Sequence, residues 1–197
     1  MFVGVRMTKT SLIIIGIISS ICWTNAQEYE KVYLDPSDST KFYYQVTPDS
    51  QAKGLLVLLP GTRGSAEWPL KTTRIPYIAA DSGLVTIMID YEIWLYWLRG
   101  DVLELLNTSI NDVLERHKIA SDKCVIGGFS SGGTMALNYT ALAVKDRTKT
   151  AILPKGVFGL DPPVDLTELY HVDQLEIKGI VCNGKKNRSI RGNPEYV

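Results

Sequence analysis

Gly128-Phe129-Ser130-Ser131-Gly132 fits the spacing G-x-S-x-G. The chemistry open to such a segment is nucleophilic: a serine hydroxyl attacks an electron-poor carbon once a base takes its proton. Setting is what gives so short a pattern weight. It follows the apolar run Cys124-Val125-Ile126 and precedes a helical pattern from Thr134 to Val144. A strand-to-helix turn that tight strains the backbone of its central residue, and glycines two places either side let chain pass close to chain. The serine oxygen is then presented at the carboxyl end of the strand, with the next helix aiming its N-terminus at it. Only Ser130 is in register, because Ser131 would need glycine where Phe129 stands. Gly127 and Gly133 thin the chain further. The alternative is a Ser/Gly-rich turn that does no more than cap a helix.

Elements capable of holding Ser130 are legible around it. Gly54-Leu55-Leu56-Val57-Leu58-Leu59 is apolar on both faces, as a central parallel strand must be when helices cover both sides of a sheet. Leu84 to Ile89 repeats that character, as does Cys124 to Ile126, and Lys155 to Leu160 more weakly. Between these runs lie helical patterns. Val102 to His117 is the clearest, with Val102, Leu105, Leu106, Ile110, Val113 and Leu114 at three- and four-residue spacing. Pro76 to Ala80 is the weakest. Strands alternating with helices predict βαβ units with right-handed crossovers. Ahead of them, Tyr29–Leu34 and Phe42–Val46 flank Pro36-Ser37-Asp38 and read as an antiparallel hairpin. Past Leu160 the pattern weakens. Leu166 to Tyr170 suggests a turn or two of helix and Leu175 to Val181 a further strand, before a basic tail of Lys185, Lys186, Arg188 and Arg191.

Composition fits one globular domain. Of 197 residues, 45% are hydrophobic and 21% charged, which excludes a disordered chain. The 21 basic and 21 acidic residues balance, leaving no electrostatic reason to expect nucleic acid as a partner. Residues 1–26 read as a secretory signal peptide. Arg6 and Lys9 come first, then the uncharged stretch Ser11 to Trp23, then Thr24-Asn25-Ala26 with small residues for a cut before Gln27. The apolar stretch is short for a bilayer span, so no stable membrane insertion is expected after cleavage. The remaining 171 residues carry 19 basic and 21 acidic side chains, net −2. Cys124 and Cys182 remain as well; they could pair in an oxidising compartment, or Cys124 could be a buried thiol. No CxxC and no clustered His/Cys spacing exists, so neither a metal nor another cofactor is expected.

On these residues the chain resembles the α/β-hydrolase family, over nearly all of residues 27–197 as far as Leu160. The resemblance implies a mostly parallel sheet flanked by helices, led in by the antiparallel hairpin. It implies Ser130 as nucleophile, with Gly128 and Gly132 forming its elbow. It sets Pro60-Gly61-Thr62-Arg63-Gly64 in the place of the oxyanion loop, so the backbone N–H groups of Thr62 and Ser131 would meet a tetrahedral oxyanion. Pro60 stands where the family commonly has His. Gly159-Leu160-Asp161-Pro162-Pro163 looks like the segment that places the acid of the triad in some lipases of this fold, which makes Asp161 the candidate acid, with Asp165 behind it. Asp before Pro is equally a turn former.

The base is harder to assign, because the chain has only two histidines. His117 ends the helix that enters the nucleophile's strand, at the opposite edge of the sheet, and reads as a C-terminal helix charge. His171 follows Asp161 in the family's order of serine, acid, base, with nine residues between and no strand to return it to Ser130. A surface histidine in a lid-like segment is the other reading. The family's base follows a further strand–helix–strand unit, so the C-terminal part of the fold is expected to be missing. The resulting expectation is an exported, secreted or periplasmic serine hydrolase acting on a small carboxylic ester. A serine peptidase of the same fold, and an inactive binding module that keeps the cleft without a base, are the alternatives. Trp94, Tyr96 and Trp97 are candidates for an acyl or aromatic pocket, or for plain packing. Oligomeric state is not legible.

Overall fold

A computed structural model describes residues 28–62, 64–90, 98 and 100–165. They form a six-stranded sheet: β1 (Tyr29–Tyr33), β2 (Phe42–Val46), β3 (Gly54–Leu59), β4 (Leu84–Ile89), β5 (Cys124–Phe129) and β6 (Gly156–Leu160). Its order is β1-β2-β4-β3-β5-β6. The hairpin strands pair antiparallel with each other and β2 pairs antiparallel with β4, while β4, β3, β5 and β6 run parallel. Both features agree with the sequence reading. The helices are α1 (Trp68–Thr72), α2 (Ile75–Asp81), α3 (Gly100–His117) and α4 (Ser131–Lys145).

The apolar pattern sorts these helices onto two faces. On one, Leu55, Val57, Leu59, Val85, Ile87 and Ile126 pack against Leu106, Ile110 and Val113 of α3 and Met135, Ala136 and Tyr139 of α4. On the other, Leu56, Leu58 and Met88 pack against Leu70 of α1 and Ala79 and Ala80 of α2. A parallel strand buried on both faces can alternate nothing but apolar residues, and β3 is buried at all six positions.

Three differences from the sequence reading bear on the site. β5 continues through Gly127 and Gly128 to Phe129, and α4 starts at Ser131, so one residue separates strand from helix. Glycine's low strand and helix propensities hide both ends of that elbow. α1 had no periodic signal, being a single turn entered at Trp68-Pro69. His117 ends α3 as expected, but burial works against its charge. It is half-buried, its Nε2 lies 3.2 Å from the Gln45 Oε1, and burial lowers its pKa.

From β3 the chain crosses to β4 on one side, and from β4 it returns past β3 to β5 on the other. Right-handed crossovers in opposite directions put their helices on opposite faces. The loops leaving β3 and β5 therefore diverge, opening a crevice at the carboxyl ends of these neighbouring strands. The G-x-S-x-G segment lies at that crevice.

Candidate active site

Ser130 joins β5 to α4 with φ 49° and ψ −123°. This is a left-handed conformation that only glycine adopts at low cost, worth about 1–3 kcal/mol of strain in other residues. Three hydrogen bonds hold it there. The Ser130 N–H donates to the Leu160 carbonyl at 2.9 Å, and the Ser130 carbonyl accepts from Gly133 N–H at 2.9 Å and Thr134 N–H at 3.2 Å. The side chain is exposed, at the N-terminus of a 15-residue helix. A helix N-terminus there favours developing negative charge.

Glycine at both flanks is a steric requirement. A Cβ on Gly128 would lie 2.5 Å from the Gly132 carbonyl carbon and 2.6 Å from the Leu59 oxygen. One on Gly132 would lie 2.3 Å from the Pro60 oxygen and 2.4 Å from that of Leu59. The first turn of α4 thus rests directly on the end of β3. From there the chain enters the β3–α1 loop, where a Cβ on Gly61 would come within 3.2 Å of the Ser130 Cβ. The Thr62 Oγ1 donates to the buried Ser131 Oγ at 2.9 Å. Thr62 and Ser131, the two residues named for the oxyanion site, are in direct contact.

Asp161 follows β6 and is exposed, with φ 55°. Its neighbour Leu160 supplies the carbonyl that accepts from Ser130, which brings Asp161 to the same strand ends. Next to it, Pro162 packs over Gly133 and Gly159, and the Pro163 carbonyl accepts from Thr134 Oγ1 at 2.8 Å. The Asp161-Pro162-Pro163 segment is thereby tied to the first turn of α4. His171 lies outside the described residues, as do Trp94, Tyr96, Trp97, Cys182 and the leader. Cys124 is a buried free thiol whose pKa burial pushes up to about 11. Among the described residues no group of His, Cys, Asp and Glu could hold a metal ion, and no helix is long and apolar enough to cross a membrane.

Two neighbours of the site escaped the sequence reading. Trp68 meets Phe129, the residue before Ser130, edge to face at 4.9 Å between ring centroids, and stays 39% exposed. Asp90 follows the β4 run directly, and burial raises its carboxyl above its ordinary value. Its position after a buried strand, at the same edge as Ser130, was the available signal.

No protein-family model matches the chain, and no curated protein matches it in sequence. Solved structures do. The Staphylococcus aureus fluorophosphonate-binding serine hydrolase F is 18% identical with a TM-score of 0.59, covering 84% of this chain and 68% of its own. EstE1, a thermostable carboxylesterase cloned from a metagenomic library, is 19% identical with a TM-score of 0.59, over 85% of this chain and 61% of its own. An inhibited esterase B from Lactobacillus rhamnosis is 13% identical with a TM-score of 0.55, over 87% and 65%. The chain thus spans about two thirds or less of the length of these three proteins. The strand order, the helices on both faces and the elbow between β5 and α4 give the same conclusion as the structural likeness: this chain has the α/β-hydrolase fold.

Proposed function

We propose that the chain is, or belongs to, a serine hydrolase acting on a small carboxylic ester. The observation that carries this reading is the backbone of Ser130, held at φ 49° and ψ −123° at the C-terminal edge of the sheet with its side chain exposed. A strained non-glycine residue persists only where its surroundings over-determine it, and here they present an oxygen at a crevice. The names of the similar structures, a serine hydrolase and two esterases, support the same class.

In this reading Ser130 Oγ attacks the acyl carbon and forms an acyl-enzyme that water then hydrolyses. The N–H groups of Ser131 and Thr62 receive the oxyanion, each contributing about 3 kcal/mol to lowering the barrier. The Thr62–Ser131 hydroxyl contact keeps these two donors adjacent. Asp161 is the acid that would orient an imidazole, and His171 is the base the chain offers. Export follows from residues 1–26 in the same proposal.

Labelling with a fluorophosphonate probe tests the nucleophile, since only an activated serine reacts rapidly. Wild-type protein should label and should hydrolyse a p-nitrophenyl ester, and Ser130→Ala should do neither while unfolding at the same denaturant concentration. Loss of labelling in Ser131→Ala but not in Ser130→Ala would refute the assignment. A wild-type chain that folds yet never labels would favour the binding-module alternative.

A further inference from the structure

A hydrolase of esters selects among acyl groups by the surface it sets beside the nucleophile. On the α1 and α2 side of the sheet, Ser130 has such a surface next to it. Phe129, the last residue of β5, packs toward the layer of Leu56, Leu58 and Met88, and so does Phe158 of β6. The Phe158 ring lies across Gly127, where a Cβ would come within 2.3 Å of it. Gly127 shares a face with Phe129, two residues on, so its missing side chain is what admits that ring. Trp68 completes the group: its ring meets that of Phe129 edge to face, at 84° with 4.9 Å between centroids. It arrives by the loop that brings Gly61 against Ser130, through a turn in which the Trp68 N–H donates to the Ser65 carbonyl at 2.9 Å. Leu70, buried two residues on, anchors α1 and so steadies the indole. Trp68 is exposed, and Phe129 and Phe158 are half-buried. One such aromatic is ordinary on a protein surface; three along the last turns of a strand that ends at a strained serine are not.

Strand order decides which part of an ester meets this surface. β5 lies between β3 and β6, so Trp68, delivered from β3, and Asp161, which follows β6, stand on opposite sides of Ser130. The leaving alcohol takes its proton from the base that the acid orients, which puts it on the Asp161 side. The acyl group is left on the side of Trp68. We propose that Trp68 and Phe129 form the acyl subsite and that Trp68 is a specificity-determining residue, favouring esters of apolar chain or aryl acids over acetate esters. Each methylene laid on these rings leaves water, and an acetyl group has none to lay. The orientation rests on the readings of Ser130 as nucleophile and Asp161 as acid; the apolar surface itself does not.

Turnover of p-nitrophenyl hexanoate and p-nitrophenyl acetate by the full chain tests the assignment. In wild type, kcat/KM should favour the hexanoate. Trp68→Ala should lose about tenfold on the hexanoate, the effect of one or two methylenes, and stay within about twofold on the acetate, with Trp68→Phe recovering most of the loss. A second arm needs no turnover. In Ser130→Ala, hexanamide should move the Trp68 indole N–H resonance, identified by its loss in Trp68→Phe, where acetamide at equal concentration does not. An equal loss on both esters overturns the proposal, since Trp68 would then hold the loop and not the acyl group, and so does no loss on either. Selectivity that follows the alcohol across a series of acetate esters overturns it as well. If Trp68→Ala does not fold, the Phe variant and the hexanamide arm decide. Absent turnover in wild type refutes the Ser130 reading alone, and an unmoved Trp68 resonance then overturns the subsite.

Discussion

Replacing Gly132 by alanine tests the elbow through sterics alone. The new Cβ would face the Pro60 oxygen at 2.3 Å and the Leu59 oxygen at 2.4 Å, both backbone atoms that cannot rotate away. Ordinary contact requires α4 and the end of β3 to separate by about 1 Å, an overpacking that costs ~1–3 kcal/mol or more. Alanine's better helix propensity returns only about 1 kcal/mol. The net expectation is a loss of about 2 kcal/mol, read as a lower urea midpoint at an unchanged slope. A shift of about 1 Å between Ser130 and the loop carrying Thr62 should also lower ester turnover or probe labelling about 100-fold. Gly100→Ala is the control, because nothing lies within 4 Å of a Cβ there. It makes the same chemical change at the start of α3 and should leave stability equal or up to about 1 kcal/mol higher. A Gly132→Ala protein within 0.5 kcal/mol of wild type, which surface changes commonly are, would refute the packing argument.

Three further outcomes are expected. Ser130→Gly should abolish turnover and raise stability by about 1–2 kcal/mol, because glycine adopts φ 49° without strain; a glycine variant less stable than Ser130→Ala would show that the backbone is unstrained. Burial lowers the pKa of His117 below its ordinary 6.5, with Arg116 adding to the effect and Asp112 and Glu30 opposing it. The unfolded chain therefore binds the extra proton first, so the contribution of His117 is complete above pH ~6.5 and is lost as pH falls through the folded value. Denaturant titrations of His117→Gln should show a flatter decline below that pH than wild type. Finally, mature protein recovered outside the cytoplasm should begin near Gln27 by N-terminal sequencing, and a cytoplasmic product that keeps its residues 1–26 would argue against the leader.

What residue order determines by itself here is layered. A run such as Gly54–Leu59 with no polar position can only be a strand covered on both faces, and the 3.6 period of α3 can only face a core on one side. Together with G-x-S-x-G between a strand and a helix, they were enough to name the α/β architecture and to set Ser130 at a strand-to-helix turn. Local signals failed where tertiary contacts set the geometry. Gly127 and Gly128 belong to β5 because β3 and β6 pair with them, against their own propensity. α1 is a helix because Leu70 finds a place beneath it, not because five residues would form one alone. Thr62 and Ser131 are 69 positions apart, so no window along the chain contains the pair. Crossover direction decides these meetings: it sends the loops after β3 and β5 to opposite faces and leaves a crevice where their roots adjoin. Residue types specify which groups can react; the sheet's order decides which of them meet.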